Sequence, residues 1–131
     1  MSVQVELKRI IITEQSEQQV IYLKEIVGER SFPIVIGNTE AVAIDRRLKG
    51  LPTPRPYTHE LLASVIEKLE AKLERIVIND LQDHTFFARL VIRQSGKTVE
   101  IDCRPSDAIA LGIAGNVPIF VADHVMNEVG S

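Results

Sequence analysis

The sequence predicts an α+β domain built as a tandem duplication of a β-β-β-α unit, with mostly antiparallel sheets and packed helices. Three observations carry this. Leu7-Lys8-Arg9-Ile10-Ile11-Ile12 returns 66 residues later as Leu73-Glu74-Arg75-Ile76-Val77-Ile78. At an offset of 67, Leu23 falls on Leu90, Ile34 on Ile101, and Glu40-Ala41-Val42-Ala43-Ile44 on Asp107-Ala108-Ile109-Ala110-Leu111, which needs one extra residue in the second copy's first loop. The strand connections are of hairpin length, which favours antiparallel pairing over βαβ crossovers. Two copies are too few for a solenoid, so each half is expected to bury its sheet face against the other.

Val3, Val5 and Leu7 alternate with polar residues before Ile10-Ile11-Ile12, a first strand expected to be buried on both faces at its end. Thr13 to Gln19 has no apolar residue and reads as a loop. Val20 to Val27 is a second strand, stopped by Gly28-Glu29-Arg30-Ser31, and Pro33 to Ile36 a third, with proline tolerated at its start. Gly37-Asn38-Thr39 offers capping residues for a short helix over Glu40 to Leu48. Pro52, Pro54 and Pro56 forbid a helix and make an extended connection. Thr58 then caps a strongly amphipathic helix marked by Leu61, Leu62, Val65, Ile66, Leu69 and Leu73. The second copy follows, with Asp80, Asp83 and His84 read as hairpin turn residues. Val117 to Val121 is a last strand, and Asp123 caps a final helical turn to Val129.

At 131 residues the chain suits one domain over 1–131, with pseudo-repeat halves at about 3–50 and 73–115. A 45% hydrophobic content excludes intrinsic disorder. Fifteen basic against eighteen acidic residues give a net charge of −3, so no global basic field exists to hold a polyanion. The lone Cys103 excludes an internal disulfide and suits a reducing compartment. No signal-peptide pattern or membrane-length apolar run is present, so a soluble cytoplasmic protein with no membrane partner is expected. With no Trp, two Tyr and four Phe, little aromatic surface is on offer for stacking bases.

Walker, dinucleotide, nucleophile-elbow and Cys-x-x-Cys motifs are all missing, and no organic cofactor is expected. Three histidines and one cysteine leave carboxylates as the natural metal donors, suiting Mg²⁺, Mn²⁺ or Ca²⁺, with Mg²⁺ or Mn²⁺ the expected cofactor. Arg46, Arg47, Lys49 and Arg55 form the one basic cluster, and it leads into Thr58-His59-Glu60 at a helix N-terminus. A helix N-terminus and arginine forks both favour phosphate. His59 can move protons near neutral pH, and Glu60 can act as base or ligand. The plainer reading is a solvated connection followed by an ordinary cap. Glu40 and Asp107 occupy equivalent first-turn positions; their primary reading is complementing the helix dipole, and the functional one is a pair of metal ligands. In Asp102-Cys103-Arg104-Pro105-Ser106-Asp107, Pro105 suits a helix start, and Ser106 or Asp107 is expected to cap it. Arg104 is expected to pair with Asp102 or Asp107 and lock the corner.

Phe32-Pro33-Ile34-Val35-Ile36-Gly37 running into Glu40-Ala41, Pro54-Arg55-Pro56-Tyr57-Thr58-His59-Glu60-Leu61-Leu62, and Asp102 to Leu111 together resemble the bifunctional nuclease domain family, from about Leu7 to Val125. The resemblance implies an α+β domain acting on DNA and RNA, and self-association into a homo-oligomer. It carries over no catalytic site, and the family pattern commonly has Asp where this chain has Glu60. The leading expectation is thus a metal-assisted, sequence-nonspecific nuclease. Its catalytic residues would be His59, Glu60 and Asp107, its phosphate binders Arg46, Arg47, Arg55 and Arg104, and its metal ligands Glu40, Glu60 and Asp107. The alternatives are a non-catalytic anion- or nucleic-acid-binding regulatory module, and an oligomeric structural protein.

Overall fold

The computed structural model describes residues 1–51 and 54–131. Pro52, expected in the extended connection, lies outside the described residues. In chain order the elements are β1 (Ser2–Ile11), β2 (Gln18–Glu25), β3 (Ser31–Gly37), α1 (Asn38–Lys49), α2 (Thr58–Lys68), β4 (Ala71–Gln82), β5 (Thr85–Gln94), β6 (Lys97–Cys103), α3 (Pro105–Gly112), a 3₁₀ turn Ile113–Gly115, β7 (Ile119–Ala122) and α4 (Asp123–Val129). The α+β class and mostly antiparallel pairing are as the sequence predicts. Two facing sheets are not found.

Instead, seven strands form one sheet in the order β3-β2-β1-β7-β4-β5-β6. The two meanders lie side by side, and β7 fills the seam. It pairs antiparallel with β1 and parallel with β4, the one parallel contact in the sheet. Both inner edges are thereby saturated, which two separate sheets would have left open. Strand alternation is clean where one face meets helices. Ile21, Leu23, Phe32, Ile34 and Ile36 are buried, while Pro33 and Val35 between them are exposed. Ile11 and Ile12 are exposed, against the two-sided burial expected of them, because one sheet face alone carries the core.

Both meanders carry a register shift at matching places, between Leu7 and Arg9 and between Leu73 and Arg75. The hairpin loops differ from expectation. Residues 12–17 join β1 to β2, with the buried Gln19 amide holding Thr13 and Ser16. The second loop is shorter, not longer: Asp83 and His84, at φ of 49° and 65°, turn β4 straight into β5. Ile10 consequently pairs with Ile21 and Ile76 with Leu90, so Leu90 matches Ile21, two residues from the expected Leu23. A two-residue shift keeps every side chain on its face, which is why the apolar pattern alone could not detect it. Asp80 lies in β4 rather than the turn, bonded to His124 Nε2 at 3.2 Å.

Helix α2 is shorter than its apolar spacing suggests. It stops at Lys68, Glu70 takes a left-handed φ of 58°, and Leu73 joins β4 opposite Ile92. Thr58 is its first helical residue, not its cap; Glu60 Oε1 accepts the Tyr57 N–H at 3.1 Å instead. Helix α1 ends at Gly50, whose φ of 63° closes N–H bonds onto Arg46 and Arg47 carbonyls.

Gly112, the last residue of α3, sits where a Cβ would lie 2.9 Å from Ile76 Cδ1 and 3.0 Å from Val117 Cβ. Alanine improves helix propensity by at most about 1 kcal/mol, whereas overpacking a core costs about 1–3 kcal/mol. Ile76 is fully buried and has no room to retreat. Gly112→Ala is therefore expected to lower the urea midpoint by a net loss on the order of 1 kcal/mol; an unchanged or raised midpoint would show that Ile76 repacks freely.

Candidate functional site

Helices α1 and α3 leave the ends of β3 and β6 and pack against each other, which brings their first turns to one corner. Glu40 and Asp107 meet there across Arg104. The guanidinium donates to Asp107 Oδ2 from Nε at 3.0 Å, its Nη2 lies 2.8 Å from the same oxygen, and its Nη1 lies 4.0 Å from Glu40 Oε1. The other Asp107 oxygen, Oδ1, is 3.0 Å from Nε2 of His59, which α2 delivers as its one buried residue. The Asp107 carboxylate is thus divided between a histidine and an arginine. No side chain caps α3, because Asp107 turns away from its own helix; the expected capping by Ser106 or Asp107 is replaced by this contact.

Burial pushes the Asp107 carboxyl up, but the hydrogen bonds from His59 and Arg104, aided by their charges, outweigh it and hold the carboxyl below its ordinary value. The Asp107 hydrogen bond in turn raises Arg104 further above its usual range. A carboxyl lowered by folding stabilises the fold above its unfolded pKa and loses that contribution as pH falls through the folded value. The difference in thermal midpoint between wild type and Asp107→Asn is therefore expected to be full at neutral pH and to shrink below about pH 4. A difference constant down to pH 3 would mean that the charge of Asp107 adds nothing.

Two cavities meet at His59. One is a groove of about 1360 Å³ with Glu40, Arg46, Arg104 and Asp107 at one end and an apolar body between α2 and β6. The other, about 210 Å³, is lined by Arg46, Arg47, Tyr57 and Glu60. Arg46 stacks on the Tyr57 ring at 4.7 Å and borders both. Arg47 is committed to the protein: its Nη2 donates to the Leu111 carbonyl at 2.8 Å. Arg55 is exposed and lines neither cavity. Glu60 lines the small cavity, with its carboxylate bound to the start of its own helix. Of the nominated residues, the fold therefore gathers His59, Asp107, Arg104, Glu40 and Arg46.

The expected metal ligands Glu40, Glu60 and Asp107 are not brought together. Among the described residues no group of three His, Cys, Asp or Glu is placed to hold a metal ion. Arg104 lies between Glu40 and Asp107, so a cation there must displace a guanidinium; the donors as arranged do not fit one. Burial, reinforced by Asp102 and Asp107, raises the Cys103 thiol to about 11, leaving it protonated and unreactive at neutral pH. The His59–Asp107 contact spans 48 positions in the chain, and no local pattern announces it.

A family model described as the bifunctional nuclease domain matches residues 20–131, a span that includes every residue of this corner. An uncharacterised protein of Mycobacterium tuberculosis is 36% identical over 121 residues, covering 92% of this chain and 72% of that protein. Bifunctional nuclease 2 of Oryza sativa subsp. japonica is 26% identical over 114 residues, 84% of this chain and 35% of that protein. Bifunctional nuclease 1 of Arabidopsis thaliana is 23% identical over 92 residues, 68% of this chain and 28% of that protein. The chain thus spans about a third of these plant relatives. Among the described residues, no helix is long and apolar enough to cross a membrane.

Proposed function

The chain belongs to the bifunctional nuclease domain family, and from that premise we propose that it hydrolyses phosphodiester bonds of RNA or DNA at the His59–Asp107–Arg104 corner. The observation that carries this reading is the divided Asp107 carboxylate, 3.0 Å from His59 Nε2 and 2.8 Å from Arg104. A carboxylate can only accept, so Nε2 carries the proton and the Nδ1 lone pair is the free base. His59 would take a proton from the attacking water and, once charged, be stabilised by Asp107, as in other carboxylate–histidine pairs. Arg104, with Arg46 lining the same groove, would meet the phosphate charge as it develops. Arg47 and Arg55 have no part in it.

The tandem duplication belongs to the same proposal. Matching register shifts in the two meanders support it, as do two equivalent acids, Glu40 and Asp107, reaching one arginine. The three acids Glu40, Asp102 and Asp107 at this end of the groove outnumber Arg46 and Arg104, which favours weak, salt-sensitive substrate binding.

Labelled single-stranded RNA and DNA incubated with purified protein test the reading, in Mg²⁺, Mn²⁺ or chelator, beside folded site variants purified in parallel. Cleavage that falls in the variants supports it. A strict metal requirement would place Glu40 and Asp107 on a cation and remove Arg104 from between them. Equal residual cleavage in every protein would mean contamination. Salt-sensitive binding without turnover would make the chain a binding module.

A further inference from the structure

We propose that the face of the sheet turned away from the helices holds a single strand of RNA or DNA. All four helices send side chains into one core with the inward residues of the strands. The other face is left to its own side chains, and the strand register says which they are. Arg75 of β4 lies opposite Val91 of β5, with Arg89 and Arg93 two positions to either side, and Lys72 lies directly opposite Arg93. These four cations are exposed. Val91 is only 2% exposed, yet it is no part of the core cluster; the aliphatic stems around it cover it and leave the charged ends in solvent.

Folding alone does not ask for this arrangement. Like charges directly opposite on paired strands are destabilising, and Lys72 and Arg93 are such a pair. Glu74 holds Arg93 at 2.8 Å and Glu100 holds Arg89 at 3.1 Å, but among the described residues no acid pairs with Arg75 or Lys72. The chain carries −3 overall, so four cations on two adjoining strands are a segregation of charge and not a consequence of composition. Aromatic surface lies beside them. Phe120 of β7 is in register with Val77, and Val77 with Arg89, which sets the ring two strands away, on the order of 10 Å. Phe120 is partly exposed and outside the core cluster. Tyr22, on the same face of β2, carries the Arg9 guanidinium 4.6 Å from its ring centre. Cations beside rings and guanidinium planes suit a single strand, whose phosphates need neutralising and whose free bases stack; a duplex keeps its bases hidden. Arg89 also lies opposite Asp102, two residues before Arg104, so the face runs up to the His59–Asp107–Arg104 corner. The acids at that corner weaken its own hold on a strand, and the open face supplies the grip. The inference rests on the nuclease reading for the class of its ligand, while its readout is binding and not cleavage.

Fluorescence anisotropy of labelled oligothymidine and oligouridine in chelator tests it, on wild type, Arg75→Glu, Lys72→Glu, Phe120→Leu and, away from the sheet, Arg55→Glu. Arg75→Glu and Lys72→Glu are each expected to weaken binding about tenfold and to make its salt dependence shallower by about one phosphate contact. Their thermal midpoints should hold or rise, because an acid here relieves the crowding of cations; a residue serving only the fold would lower them. Phe120→Leu should weaken binding at least about fivefold, the low end for one lost stacking contact. Arg55→Glu makes the same change in net charge and should bind as wild type does. Lys72→Glu decides if Arg75→Glu does not fold. No binding by wild type overturns the proposal, as does wild-type affinity in the folded sheet variants or an equal loss in Arg55→Glu. Equally tight uptake of a duplex or of phosphatidylserine vesicles overturns it too. Strand binding that depends on this face in a protein that cleaves nothing would sink the nuclease reading and uphold this one.

Discussion

Cleavage of RNA and DNA by His59→Ala is expected to fall by about 10²-fold or more, the usual contribution of a positioned general base. Histidine is the side chain most often used for proton transfer, and Asp107 occupies one of its two ring nitrogens and leaves the other free. Alanine also removes a hydrogen-bond partner from a half-buried carboxylate, which costs stability in its own right. His59→Gln separates the two effects. Its side-chain amide can still donate to Asp107 but cannot act as a base, so activity should stay lost while the thermal midpoint recovers. A fall of less than threefold in both variants would remove His59 from the chemistry.

Phe32→Ala is expected to destabilise the fold by about 3–5 kcal/mol, the range for emptying a buried aromatic site. Phe32 lies on the edge strand β3 and is 1% exposed. Its ring stacks on Phe86 of β5 at 5.6 Å between centroids, although β5 lies next to the opposite edge. This pair ties the start of β3 to the start of β5, which are not neighbours in the sheet. Its loss opens a cavity where the first meander meets the second. For a chain of this length each kcal/mol moves the thermal midpoint by roughly 3–5 °C, so the shift should exceed about 10 °C. A shift below 5 °C would mean that α4 and the hairpin settle into the space.

The pattern of strands and helices was legible because it is written in short-range chemistry. Alternation in β1 to β3, the glycine and proline punctuation, and the returning Leu-x-Arg-Ile segment each act over a few residues. The candidate residues were legible in kind: His59, Arg104, Glu40 and Asp107 stood out by type and position beside helix starts. Their grouping was not. Arg47, Arg55 and Glu60 looked equal to them in sequence, yet one is turned to a backbone carbonyl, one is exposed away from both cavities, and one binds its own helix start.

By itself, then, the sequence determined the class of fold, the order of the elements and the stock of groups from which a site can be made, because propensity, period and capping are local properties. Tertiary structure alone decided that the halves share one sheet through β7, that His59 reaches Asp107 over 48 positions, and that the apolar face of α2 looks outward. Those outcomes depend on which edges saturate one another and on how two helices cross. Burial energy falls with apolar area wherever in the chain that area comes from, so an amphipathic stripe says that a face must be covered and leaves the covering partner to the assembled fold.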